Sequence, residues 1–198
     1  MWHATSYEDV KQGRVTDVYF QRALQVLRGT GTDKMVRAEF VAKTLPEGWP
    51  WAVLAGIEEC AHLLEGLPVT VRALPEGTVF RPLQPVLEIE GRYTEFGALE
   101  TALLGMLCQV TGVATKAARF RKLAGDTPVT SFGARRIHPA IAPAIERAAY
   151  IGGCSGVATV AAAQMLGIDP TGTMPHALVL LMGSTVDAAL AFNRIIDR

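Results

Sequence analysis

The 198-residue chain has little that would tie it to a metal, a membrane or a nucleic acid. Its three cysteines, Cys60, Cys108 and Cys154, form neither an even disulfide framework nor a metal-ligand spacing. Their scarcity fits a reducing cytoplasm. Net charge is absent, because nineteen Lys and Arg balance nineteen Asp and Glu. That balance argues against general binding of nucleic acid or a membrane surface and leaves only local basic patches. The first residues are polar and mixed in charge, unlike a signal peptide. No uninterrupted apolar run approaches the roughly 18 residues that span a bilayer. There is no long internal repeat and no low-complexity segment. What is present is core material: 49% of residues are hydrophobic and 19% charged, enough for a globular protein of one or two domains.

The chain reads in two grammars. Residues 1–14 form a polar lead-in. Val15 to Leu27 is amphipathic, with Asp17 as a helix N-cap and Gly29 and Gly31 as its end. Met35–Lys43 reads as a strand. Trp51–Glu65 reads as a helix with Leu54, Ile57, Ala61 and Leu64 on one face. Val69–Ala73, Thr78–Arg81 and Val86–Glu90 are short strands parted by turn residues, which predicts a small antiparallel sheet. Leu99 to Leu123 is helical, with a break expected at Thr111-Gly112. From 128 onward strand alternates with helix, the pattern of a parallel sheet or barrel. The expected domains are 1–126 and 127–198. A βα unit uses roughly 30 residues and a closed barrel about 250, so only two or three units fit after 128. The chain is therefore expected to be the N-terminal part of a longer or split enzyme.

The stretch that carries chemistry is 129–136. Val129–Phe132 reads as a short buried strand and Gly133 breaks it. Arg135 and Arg136 follow where a barrel strand would end, and Pro139 fits the first turn of a helix. An aromatic ring, a bare backbone and two guanidinium forks suit a planar anion carrying phosphate. Two more segments, Cys154–Gly156 and Thr173–His176, are expected at neighbouring strand ends. Such convergence is more specific than any one segment. His176 follows Pro175, which fixes the backbone before it. No metal-binding cluster is expected.

Five pieces run in family order along nearly the whole chain: Thr16 to Tyr19, Glu95 to Gly105 (EFGALETALLG), Ser131 to Pro139 (SFGARRIHP), Glu146 to Gly153 (ERAAYIGG) and Gly172 to Ala177 (GTMPHA). Together they resemble the nicotinate phosphoribosyltransferase family, most closely its shorter bacterial and archaeal members. The resemblance implies an α+β N-terminal domain followed by the first strands of an incomplete, irregular α/β barrel, the type II phosphoribosyltransferase plan. It implies transfer of phosphoribose from phosphoribosyl pyrophosphate to nicotinate, giving nicotinate mononucleotide and pyrophosphate for NAD biosynthesis. It also implies coupling to ATP hydrolysis, Mg2+ with the phosphates, no bound organic cofactor, a cytoplasmic setting and a homodimer or larger assembly.

By the same resemblance His176 is the phosphorylated histidine. Phe132 and a partner subunit's Tyr19 enclose the pyridine ring, and Arg135 contacts phosphate or nucleotide. Arg136, His138 and Thr173 complete the substrate set. Ser155 stands where many relatives carry an acidic side chain, and a neutral serine would repel the nicotinate carboxylate less. The later barrel strands, which bear the remaining phosphate loops in relatives, are expected from a C-terminal half supplied in cis or in trans, and residues 1–198 alone are expected to be inactive. Two alternatives stay open. One is the decarboxylating quinolinate phosphoribosyltransferase, for which a larger basic cluster than Arg135-Arg136 is expected. The other is a non-catalytic fragment acting as a binding or assembly partner.

Overall fold

Turn chemistry and capping set out the first half. In the computed structural model, which describes residues 3–196, the lead-in folds into a short helix, α1 (Tyr7–Lys11). A capping box closes its start: the Ser6 hydroxyl accepts from the Asp9 amide while the Asp9 carboxylate reaches back to Ser6. The helix α2 (Val18–Thr30) follows, with Asp17 at its N-cap, although the Asp17 side chain bonds Thr101 instead of the helix amides. Next come β1 (Met35–Val41), β2 (Ala52–Val53), α3 (Ile57–Leu64), β3 (Thr70–Ala73), β4 (Val79–Phe80), β5 (Pro85–Arg92), α4 (Tyr93–Phe96) and the long α5 (Glu100–Ala124). The order β1-β5-β3 forms one antiparallel sheet, and β2 pairs antiparallel with β4. Met1, Trp2, Asp197 and Arg198, the outer ends of the two expected domains, lie outside the described residues.

Two expectations change here. The helix expected from Trp51 begins only at Ile57, because Ala52 and Val53 are taken up by pairing with Phe80 and Val79. The break expected at Thr111-Gly112 does not occur, and α5 is continuous. Two of its threonines, Thr111 and Thr115, explain why. Thr115 Oγ1 accepts from the Val53 amide at 2.8 Å and donates to the Thr111 carbonyl at 2.7 Å. Thr111 Oγ1 accepts from the Ala55 amide at 3.2 Å and donates to the Ala55 carbonyl at 3.0 Å. These bonds staple the middle of α5 to the β2 edge, which outweighs the roughly 1 kcal/mol cost of Gly112 in a helix.

The core under the sheet holds Phe40, Leu54, Leu63, Leu87, Ile89 and Leu103. The stretch Tyr93–Ala124 is long and apolar enough to cross a membrane by composition. In this fold it is the spine of the molecule: one side of α5 fills that core and a later stretch meets the helix α6 (Ala142–Ile151). Contact there is close. A Cβ at Gly152 would lie 2.2 Å from the Ala114 carbonyl oxygen and 2.7 Å from the Ala117 Cβ, so only glycine lets the two helices approach.

The second half contains β6 (Thr130–Ser131), a 3-10 turn at Ala134–Arg136, α6, β7 (Gly156–Val157), α7 (Val160–Leu166), α8 (His176–Met182) and α9 (Thr185–Ile195). The strands β6 and β7 pair in parallel, Thr130 with Gly156 and Ser131 with Val157. Residues 171–175 form a loop, not a strand. The helix expected to hold Pro139 in its first turn starts later, at Ala142, with Pro143 in its first turn and Pro139 in the turn before it.

Candidate active site

The parallel pair β6–β7 organises the residues singled out above. Arg121, near the end of α5, donates to the carbonyls of Gly125 and Thr127 and so sets the angle at which the chain enters β6. Val129 packs against Ala117, Ala149 and Cys154. β6 itself is half-buried, not fully buried as expected. Phe132 leaves its carboxyl end 42% exposed, and Arg135 and Arg136 follow on the 3-10 turn, both exposed. Among the described residues neither guanidinium makes an ion pair, so this strand exit carries two unneutralised cations beside an open aromatic face. His138 sits on the next turn, its Nδ1 accepting from the Ala140 amide at 3.2 Å.

Ser155 lies elsewhere than expected. Gly152 and Gly153, the latter at φ +99°, complete the turn after α6. The chain reaches its strand two residues later, and the Ser155 amide donates to the Val129 carbonyl at 2.7 Å. Ser155 therefore marks the entry of β7, and Ala158-Thr159 form its exit, level with Phe132. The third segment does come alongside. The Thr171 amide donates to the Val157 carbonyl at 2.8 Å, and a Cβ at Gly156 would meet the Thr171 hydroxyl at 2.5 Å. Thr173 continues that loop, and His176 is the first residue of α8 with Pro175 as its N-cap; both are exposed. Tyr19 projects from α2, which packs on α4 and the turn Gly97–Leu99, and it is 59% exposed.

Two residues missed in the sequence hold this site in shape. Glu146 on α6 is fully buried. Its carboxylate accepts from the Ala158 amide (3.2 Å), the Thr159 amide (2.9 Å) and the Thr159 hydroxyl (2.6 Å). It thus fixes the exit of β7, while the Thr159 hydroxyl caps α7 by accepting from the Ala162 amide. Arg147, the next residue, crosses to the first half, where it pairs with Glu58 and bonds Glu76 at 2.7 Å. Glu76 also accepts from the Gly56 and Ile57 amides and so caps α3. Burial pushes the Glu76 carboxyl up, but Arg147 and the two amides outweigh it, and the group titrates below the usual carboxylate range. Both residues sit in the segment ERAAYIGG. A charged Glu-Arg pair inside an otherwise apolar helix face was the available signal.

Comparison with known proteins follows the same architecture. Residues 17–111 match the quinolinate phosphoribosyl transferase N-terminal domain, and residues 113–198 match the C-terminal domain of that family. A crystal structure of nicotinate-nucleotide pyrophosphorylase from Pyrococcus furiosus superposes with a TM-score of 0.96 at 50% identity, covering 99% of this chain and 50% of that one. Human nicotinic acid phosphoribosyltransferase superposes with a TM-score of 0.77 at 27% identity, covering 84% of this chain and 40% of that one. Nicotinate phosphoribosyltransferase pncB1 of Mycobacterium tuberculosis is 32% identical over 197 residues, covering 85% of this chain and 44% of its own length. The chain thus spans about half the length of the relatives it matches. With both domain patterns matched in order and the parallel pair following the N-terminal sheet, the chain belongs to the quinolinate phosphoribosyl transferase type of two-domain phosphoribosyltransferases.

Proposed function

We propose that the exit of β6 and β7 is the pyridine and phosphate end of an active site that transfers phosphoribose from phosphoribosyl pyrophosphate to nicotinate. The observation that carries the reading is the pairing of an exposed ring, Phe132, with the unneutralised Arg135 and Arg136 at one parallel-strand exit. The pyridine nitrogen attacks the sugar C1′ as the bond from C1′ to the pyrophosphate oxygen breaks. The products are nicotinate mononucleotide and pyrophosphate. Positive charge develops at C1′, so the reaction needs aligned phosphates more than a strong base. Phe132 supplies a stacking face and Arg135 a forked phosphate contact, with Arg136, His138 and Thr173 around them, while Ser155, at the entry of β7, takes no part. Tyr19, exposed on α2, supplies the opposite ring face to a second copy of the chain.

His176 is proposed as the phosphoryl carrier: an imidazole nitrogen attacks the γ-phosphorus of ATP, ADP leaves, and water later releases phosphate. Mg2+ enters with the phosphate substrates, whose oxygens hold it, as this cation usually is held. The matched relatives are about twice as long, so the phosphate contacts of further barrel strands belong to the proposal, and residues 1–198 alone are expected to turn over below detection.

A second reading, decarboxylating transfer to quinolinate, is favoured by the family description of both matched domains. The test is turnover by the full-length protein that carries this chain, given phosphoribosyl pyrophosphate with nicotinate or with quinolinate, each with and without ATP. The proposal expects nicotinate mononucleotide from nicotinate, faster with ATP, and no carbon dioxide from quinolinate. Nicotinate mononucleotide formed only from quinolinate, with matching carbon dioxide, would replace it with the second reading. No product from either would overturn both.

A further inference from the structure

The start of α2 spends its polar groups in a way that local capping does not explain. Asp17 stands at the N-cap, where a carboxylate ordinarily accepts from the second or third amide of its own helix, yet it makes no such bond. It is held from α5 instead. The Thr101 hydroxyl donates to the Asp17 carboxylate at 3.0 Å and accepts from the Asp17 amide at 3.1 Å, across 84 positions of sequence. Beside Asp17 in the chain, the Thr16 hydroxyl is buried and, among the described residues, has no hydrogen-bond partner. Two neighbouring residues thus forgo local hydrogen bonding at one turn. Departures of this kind gather where a chain is shaped for function and not for its own stability.

Anchorage does not account for the Thr101 bonds. Phe20 and Leu24 are buried and already fix the body of α2 to the fold. What Thr101 fixes is the first turn. Tyr19 is the second residue of that turn, 59% exposed, with its ring centre 4.3 Å from that of Phe20. Thr101 itself lies in the first turn of α5, the spine of the molecule, one residue beyond Glu100. Asp17 also reaches the Tyr19 phenol by charge: desolvation raises the pKa of that phenol, and Asp17 and then Glu100 raise it further. Thr101 is therefore linked to Tyr19 twice, through the backbone at the N-cap and through the carboxylate that it holds.

We propose that Thr101 is a positioning residue for Tyr19: through Asp17 it sets the angle at which α2 presents that ring to the pyridine held by a second copy. The inference rests on the role proposed above for Tyr19. Loss of the Thr101 hydroxyl leaves the Asp17 carboxylate free to swing back to the amides of α2, which restores a cap to the helix while releasing the ring from its stance. A bond that served stability alone would behave in the opposite way. Its loss would lower the unfolding temperature and leave the pyridine site untouched.

The experiment measures KM and kcat of the full-length protein for nicotinate and for phosphoribosyl pyrophosphate, with thermal unfolding alongside, in the parent, Thr101→Val, Thr101→Ser, Tyr19→Ala and the Thr101→Val, Tyr19→Ala double variant. Thr101→Val should raise the KM for nicotinate about two- to fivefold, a part of what one lost ring face costs. The KM for phosphoribosyl pyrophosphate should stay unchanged and the unfolding midpoint within about 2 °C of the parent. Thr101→Ser keeps the hydroxyl and should match the parent. In the Tyr19→Ala background Thr101→Val should change nothing further, because its effect passes through that ring. Should Thr101→Val not fold, Asp17→Ala, which breaks the carboxylate bond from the other side, carries the same expectation. A nicotinate KM raised by Tyr19→Ala but not by Thr101→Val would overturn the inference and leave the proposed function standing. So would an equal rise with and without Tyr19, or a lowered unfolding midpoint as the sole effect. A nicotinate KM unchanged in Tyr19→Ala, or no turnover of nicotinate, would overturn the reading of the site and this inference with it.

Discussion

Glu146→Ala is the perturbation with the largest consequence that can be worked out from the structure. The carboxylate is fully buried and accepts three hydrogen bonds, from the Ala158 amide, the Thr159 amide and the Thr159 hydroxyl. Removing it leaves two half-buried amides and one hydroxyl without an acceptor and opens a small void where the carboxylate was. Each unsatisfied donor costs about 1–3 kcal/mol, and the three are not additive because one turn can relax to reach water. The expected loss is about 3–5 kcal/mol, a large share of a typical stability of roughly 5–15 kcal/mol. Glu146→Gln keeps one oxygen as acceptor but turns an N–H toward the amides, so an intermediate loss of about 2 kcal/mol is expected. Urea denaturation followed by circular dichroism measures both, and Thr159→Val in the same background shows the coupling by a double-mutant cycle. A Glu146→Ala variant within about 0.5 kcal/mol of the parent, at unchanged denaturant slope, would refute the claim that this carboxylate holds the β7 exit.

Three other outcomes follow from the same geometry. Gly152→Ala drives a methyl into the Ala114 carbonyl, a backbone atom that cannot rotate away; it should cost about 3 kcal/mol or more by thermal unfolding, whereas Gly112→Ala, with open space around it, should be neutral or stabilising. Glu76 titrates lower in the folded protein than its ordinary value, so its contribution is complete above the unfolded carboxylate range near pH 4.3 and is lost as pH falls through the lowered folded value. Glu76→Gln should therefore cost about 1–2 kcal/mol at pH 7, with the gap to the parent closing below about pH 4 in an acid-unfolding series; a gap independent of pH would contradict the assignment. Incubating the full-length protein with γ-labelled ATP should give an acid-labile, base-stable label that His176→Ala abolishes, and a label that survives this change would place the phosphoryl group elsewhere.

Much of the fold was legible because its signals were local. Alternation and turn residues marked β1, β3, β4 and β5, and glycines marked the end of α2. What misled was non-local. Trp51–Glu65 carries a helical apolar stripe, yet its first residues belong to β2, since pairing with Val79 and Phe80 is invisible to periodicity. Thr111-Gly112 reads as a break until the Ala55 and Val53 backbone is there to bond the threonines. At the candidate site, Phe132, Arg135 and Arg136 were legible as a strand exit, because Gly133 and the basic pair follow the strand directly. Ser155 was placed at the wrong end of its strand, because two glycines lengthen the turn after α6. Glu146 was missed altogether: its three partners lie 12 or 13 residues further on, and only the folded turn brings them to it.

The central claim is that one strand exit holds both the pyridine ring and the phosphate. Steady-state kinetics on the full-length protein test it most directly, with nicotinate and phosphoribosyl pyrophosphate varied separately in Phe132→Ala and Arg135→Ala. Loss of one stacked ring face should raise the KM for nicotinate about two- to tenfold while leaving that for phosphoribosyl pyrophosphate nearly unchanged. Loss of one guanidinium–phosphate contact should lower kcat/KM for phosphoribosyl pyrophosphate by about ten- to a hundredfold. Both variants indistinguishable from the parent for both substrates would contradict the account and move the active site away from β6 and β7.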